Sequence, residues 1–283
     1  VSAGSLRALF FGTSAFAVPS LHVAAAKTRL AGVVTQPDRP AGRGHKLQPT
    51  PVKAAALDLG LRVYEPTSLK AFAAEITGEA FDLFALASYG KILPQALLDL
   101  PALGALNVHP SLLPKYRGAT PIQSALRDGA RATGVSIMLM DAGMDTGDLV
   151  LQEGVEIVPD DDYAALHDRL ALFGGDLLGN AIDLAMRGPL PRRPQTGAAS
   201  VTRPIRKEDL EIDWSWPPQR IVDTVRAFSP APGARATIGG ENVKLLKAHV
   251  EGERVAIDEL IAPNRGRMSG EAYERSRQDR SRT

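Results

Sequence analysis

The sequence contains no cysteine. Disulfides, thiolate metal sites and cysteine nucleophiles are thereby excluded, and a reducing compartment suits the composition. It also lacks a charge imbalance: 33 Lys and Arg stand against 32 Asp and Glu, for a formal net charge of +1. Dividing the chain changes little, since residues 201–283 hold 15 basic against 13 acidic side chains. No global pull toward nucleic acid follows, so any such contact must rest on local patches. Long apolar runs are missing as well, and none approaches the roughly 18 residues of a membrane span. The chain turns into a strand-like segment at residues 6–11 without a basic stretch followed by a cleavable apolar core. We therefore expect a cytoplasmic protein with no membrane partner.

What is present is a chain of 283 residues, 44% of them hydrophobic, enough for one large domain and a smaller one. Strand signals fall at residues 6–11, 30–35, 62–64, 82–87, 105–109, 135–140 and 149–157. Helix signals fall between them at 19–27, 52–59, 70–76, 94–98 and 121–127. Continuous apolar strands alternating with helices predict an α/β fold, a doubly wound, mainly parallel, Rossmann-like sheet covered on both faces. Residues 162–186 read as a long amphipathic helix, broken near Gly174 and Gly175. The Pro- and Gly-rich "RGPLPRRPQTGAAS" (187–200) reads as an interdomain connection. Beyond it Ile221, Val225 and Phe228 suit one helix face, Trp214 is expected in the core, and short strands are expected at 236–238, 243–250 and 255–261. We assign a catalytic domain to 1–188, a linker to 189–204 and a small β-rich domain to 205–283, whose end, "RSRQDRSRT", is expected to fray.

Two stretches concentrate polar groups at strand ends. In "NVHPSLLPKYRG" (107–118), Asn107 and His109 alternate along a strand and share a face. Pro110 then ends the strand, and ligands of open α/β sheets bind beyond such carboxyl ends. An amide can donate to a developing oxyanion, and an imidazole can exchange protons near neutrality. An isolated Asn-x-His is more often a turn residue beside a satisfied histidine. "MDAGMDTGD" (140–148) ends another strand with three carboxylates among glycines. A carboxylate there could orient the imidazole and raise its pKa. A plain acidic turn stays open, whereas a calcium loop lacks its distal Glu.

"NVHPSLLPKYRGATPIQSAL" followed by "GVSIMLMDAGMDTGD" resembles the formyltransferases that use 10-formyltetrahydrofolate, in which Asn-x-His-x-Ser-Leu-Leu-Pro precedes a downstream Asp. The offset from Asn107 to Asp145, 38 residues, matches that pattern. The resemblance implies a one-carbon transferase with Asn107, His109 and Asp145 as catalytic residues, a tetrahydrofolate site bordered by Ser111, Leu112, Leu113 and Pro114, and no metal. "ASYGKILP" (87–94) resembles the strand-end loop that helps hold the pterin, which brings in Tyr89, Gly90 and Ile92. "FGTSAFAVPSL" (11–21) is also family-like and lacks G-x-G-x-x-G, so a dinucleotide site is not supported.

The loop "TQPDRPAGRGHKLQPTPVK" (35–53) resembles one found in the branch that formylates methionyl initiator tRNA for translation initiation. Arg43, Lys46 and Lys53 are its candidate tRNA contacts. The segment 205–234 resembles the start of that branch's C-terminal OB-type domain and adds Lys207. Such a barrel needs about five strands, but the middle of the module is missing, so three or four are expected. The implied enzyme is a monomer. It moves formyl to methionyl initiator tRNA, with Asn107 and a protonated His109 bonded to the oxyanion and Asp145 keeping His109 oriented and charged. Glycinamide ribonucleotide and amino-sugar nucleotides remain alternative acceptors, and a tRNA-binding protein without transfer activity is the alternative of another class.

Overall fold

The computed structural model describes residues 5–41 and 46–280. The chain divides into two compact units. The first comprises Val1–Ala119, Gly134–Val155 and Asp168–Val201; the second comprises Thr120–Thr133, Glu156–His167 and Thr202–Thr283.

The first unit is built on a seven-stranded sheet in the order Leu149–Glu156, Ala132–Leu139, Ala105–His109, Leu83–Ala87, Arg7–Gly12, Arg29–Val34 and Val63–Tyr64. From Ala105–His109 to Val63–Tyr64 every pairing is parallel, whereas Ala132–Leu139 runs antiparallel to Ala105–His109. The Leu83–Ala87 strand is buried at every position, as expected of a strand covered on both faces. Helix starts follow local chemistry. Thr50 caps Pro51–Asp58 by accepting from the Lys53 N–H, with proline at the first turn, and Ser68 caps Leu69–Ile76 through Ala71.

Leu9, Phe11, Phe84, Leu86 and Ala105 pack with Phe72, Ile76 and Leu97 from the helices. Asn107 and His109 alternate with Val108, so they share Ala105's side of the sheet. The strand order reverses beside Arg7–Gly12: the chain first adds Arg29–Val34 and Val63–Tyr64 on one side, then Leu83–Ala87 and Ala105–His109 on the other. This is the switch point where such sheets open a crevice for ligands.

The long helix runs unbroken from Tyr163 to Arg187, so the break expected at Gly174 and Gly175 is corrected. The glycines serve contact instead. A Cβ on Gly174 would lie 2.7 Å from Val108 Cγ1, and one on Gly175 would lie 3.1 Å from the Pro19 backbone carbon. The first close approach is to the strand that carries Asn107 and His109. Gly174→Ala gains helix propensity of about 1 kcal/mol but meets an overpacking cost of roughly 1–3 kcal/mol. A net loss is expected, lowering Tm by about 2–4 °C. A higher Tm on thermal melting would show that Val108 yields without cost.

The second unit holds a four-stranded antiparallel sheet in chain order, Ala234–Ile238, Glu241–Glu251, Arg254–Ala262 and Gly266–Ser269. Ile221, Val225 and Phe228 of the Pro218–Phe228 helix are at most 2% exposed and join Leu210, Val243, Leu245 and Leu260 in its core. Four strands agree with a shortened module. Two expectations are corrected here. Trp214 is 44% exposed, with its indole N–H donated to the Thr237 carbonyl. Of the end expected to fray, residues 275–280 belong to the helix Gly270–Arg280, and the last three lie outside the described residues. The helix's anchor is Tyr273, 1% exposed, whose hydroxyl donates to Glu241 Oε2 and the Ile238 carbonyl. Among the described residues, no helix is long and apolar enough to cross a membrane.

Candidate active site

Asn107 and His109 occupy the carboxyl end of the Ala105–His109 strand, opposite Met138 and Ser136 of the neighbouring strand. The Asn107 amide has no hydrogen-bond partner among the described residues, so its N–H donors are available to a ligand.

His109 is 4% exposed. Its Nε2 lies 2.9 Å from the Tyr116 carbonyl. A carbonyl only accepts, so Nε2 carries the hydrogen. Nδ1 faces Asp145 Oδ2 at 3.6 Å, beyond a hydrogen bond but close enough for strong charge coupling. Burial pushes the imidazole pKa below its ordinary value, outweighing the Asp145 charge and the Tyr116 bond, which act upward. Both ring nitrogens thus face acceptors, while burial opposes the charged form that Asp145 and Tyr116 favour.

Asp145 follows the Ala132–Leu139 strand in the loop 140–148. Its Oδ2 accepts the Gly118 N–H at 2.7 Å. The residue has φ +53°, a region that Asp visits more readily than most side chains. Asp141 shapes the same loop by accepting from Thr146 Oγ1 and the Gly143 N–H. A Cβ on Gly147 would fall 1.7 Å from the Leu139 carbonyl oxygen, so this position admits only glycine without backbone movement. One sequence motif thus holds His109 through Tyr116 and Asp145 through Gly118.

The proposed folate residues differ in setting. Ser111 is fully buried; its hydroxyl donates to the Lys115 carbonyl, while its own carbonyl accepts from Ser136. Leu113 packs with Met138 and Leu149, its N–H donating to Ser136 Oγ and its carbonyl accepting from Gln152. Leu112 and Pro114 are half-buried. Tyr89 is buried against Phe11, its hydroxyl has no hydrogen-bond partner among the described residues, and burial pushes its phenol up to about 12. Gly90 and Ile92 are exposed, Ile92 by 78%.

Of the candidate tRNA contacts, Arg43 lies outside the described residues. Lys46 opens the Lys46–Gln48 strand, which pairs with Arg39–Ala41 in a small hairpin. Lys53 lies 2.8 Å from both Asp38 and Glu65. Its bonds to these carboxylates, Asp38 foremost, raise its pKa. Lys207 is exposed at the start of the short Lys207–Leu210 helix.

Sequence reasoning missed Gln195. Its Nε2 donates to the carbonyls of Asp145 at 2.9 Å and Gly147 at 2.8 Å, and its Oε1 accepts from Arg117 Nη2 at 2.7 Å. It belongs to the Pro- and Gly-rich stretch expected to act only as a connection, and no local pattern marks it out. Nearby, Ser200 accepts the Tyr116 N–H through its hydroxyl and the Arg117 N–H through its carbonyl.

Residues 7–182 match the model of the family described as formyl transferase, and residues 204–279 match that of the formyl transferase C-terminal domain. A methionyl-tRNA formyltransferase of Geobacter sulfurreducens is 40% identical over 264 residues, covering 92% of this chain and 83% of that protein. Among solved structures, the methionyl-tRNA formyltransferase from Clostridium thermocellum superposes with a TM-score of 0.60 at 15% identity, covering 91% of this chain and all of that one. A sugar N-formyltransferase from a Shewanella species superposes with a TM-score of 0.66 at 18% identity, covering 87% of this chain and 99% of that one. The two structures share the fold with this chain; the matched domain models and the sequence relative go further, and the chain belongs to the formyl transferase family.

Proposed function

We propose that this chain transfers a formyl group from 10-formyltetrahydrofolate to the α-amine of methionyl initiator tRNA. The observation that carries the chemistry is the strand-end constellation: an unpaired Asn107 amide beside a buried imidazole coupled to Asp145. The acceptor is supported by the 40% identity to a methionyl-tRNA formyltransferase over 83% of its length. The exposed Ile92 side chain, the orphaned buried Tyr89 hydroxyl and the unpaired Asn107 amide fit a largely apolar heteroaromatic donor with polar edges.

The bound donor supplies an activated formyl carbon. Asn107 donates to the oxygen that gains charge as the neutral amine attacks. The His109–Asp145 pair takes the proton released by the amine and returns it toward the departing folate nitrogen. A carbon–nitrogen bond to the amine forms as the bond to that nitrogen breaks, and the proton balance closes within the pair. The rigid segment 111–114 walls the donor site, with Tyr89 and Gly90 beside it. Arg43, Lys46 and Lys207 meet tRNA phosphates, while Lys53, doubly paired, holds the base of its loop.

The test is formyl transfer from 10-formyltetrahydrofolate with methionyl initiator tRNA, uncharged tRNA, glycinamide ribonucleotide and an amino-sugar nucleotide as parallel acceptors. Product with the charged tRNA alone is expected. Product only with a small amine would keep the site chemistry and overturn the acceptor.

A further inference from the structure

We infer that Gln195 is a positioning residue for formyl transfer: its side-chain amide, gripped by Arg117, fixes the loop backbone that carries Asp145. This deepens the reaction proposed above and rests on it.

Residues 191–194 and 196–200 are all exposed, and Gln195 alone among them is half-buried. The neighbouring backbone is pinned, since Arg193 and Leu149 exchange N–H to carbonyl bonds at 2.8 and 3.0 Å. From that anchor the Gln195 side chain reaches the catalytic loop. Its amide donates to two carbonyls, those of Asp145 and Gly147. Its oxygen accepts from Nε and Nη2 of Arg117, at 3.1 and 2.7 Å. The two donors meet acceptors and the acceptor meets a guanidinium, so the amide has one consistent orientation.

The position matters because of what lies at each end. Asp145 has φ +53°, a conformation that persists where surrounding structure holds it. Arg117 sits between Tyr116, whose carbonyl holds His109, and Gly118, whose N–H holds the Asp145 carboxylate. Gln195 thus ties the mounting of the imidazole to the mounting of its carboxylate. Glutamate at this position would keep an acceptor for Arg117 but turn an oxygen toward two carbonyls.

The experiment compares the wild-type chain with Gln195→Ala, Gln195→Glu, Asp145→Asn and the Asp145→Asn/Gln195→Ala double variant. It reads kcat, KM for both substrates and the His109 titration by nitrogen-15 NMR. Gln195→Ala is expected to lower kcat about 10- to 100-fold, the scale of a small misplacement of a reacting group. Both KM values should stay within about threefold, because the interaction serves the transition state. Gln195→Glu should do no better than alanine. On the Asp145→Asn background the alanine change should cost less than about threefold, since it acts through the missing carboxylate. Asp145 is the charged group beside His109, and loosening it should move the His109 titration to lower pH. Unchanged kcat in Gln195→Ala, or an undiminished effect on the Asp145→Asn background, overturns the inference. If the wild-type chain formylates none of the acceptors, the reaction reading fails by itself. The NMR titration then still decides the role of Gln195, and an unmoved His109 rejects it.

Discussion

Replacing Asn107 with alanine is expected to lower kcat about 100- to 1,000-fold, the usual cost of losing one oxyanion donor. The side chain makes no hydrogen bond among the described residues, so its removal strands no protein partner. Stability should therefore change by less than about 1 kcal/mol. KM for the formyl donor should move by less than about threefold, because the interaction strengthens only as charge develops. Steady-state kinetics with a thermal melt separates these quantities. Full turnover in Asn107→Ala would remove the amide from the reaction. A large rise in KM at constant kcat would make it a ground-state binding group instead.

The mounting of this amide was legible in the sequence to an unusual depth. Asn107, Val108 and His109 sit on a strand with the expected bounds, because an apolar run ending in proline has few other readings. The downstream carboxylate returns to His109 because the loop after Ala132–Leu139 is short and its form is dictated by Asp141 and Gly147. Local chemistry sets such features, so a sequence displays them. The misreadings concern residues whose role is set by distant partners. Gly174 and Gly175 look like helix breakers, but Val108 and Pro19 demand their lack of a side chain. The charged end looks like a frayed tail, but Tyr273 finds a buried seat against the small sheet. Gln195 carries no local signal, because a glutamine in a Pro- and Gly-rich stretch is ordinary until its partners are known. At His109 the carboxylate that favours charge is visible in the sequence, whereas the burial that opposes it is not.

That balance of burial and charge at His109 makes Asp145→Asn the variant with the largest expected effect. Asparagine tolerates the same positive φ, and its side-chain oxygen can still accept the Gly118 N–H, so the loop should keep its shape. What disappears is the negative charge 3.6 Å from Nδ1. The imidazole must become a cation when it takes the amine's proton, in a site where burial already opposes charge. A fall in kcat of about 1,000-fold or more is expected, the scale seen when a buried carboxylate partner of a catalytic histidine is neutralised. The pH profile gives an independent sign. A base must be unprotonated to act, so wild-type kcat/KM should fall as pH drops through the pair's pKa, which burial places below 6.5. Asp145 raises that pKa, so its neutralisation should carry the acid limb to still lower pH. Stability follows the same direction. Below about pH 6.5 the unfolded chain binds a proton that the folded site resists, so stability is lost as pH falls, and Asp145→Asn should extend that loss. A wild-type profile that instead fell as pH rose through that pKa would mean that His109 acts as a preformed cation.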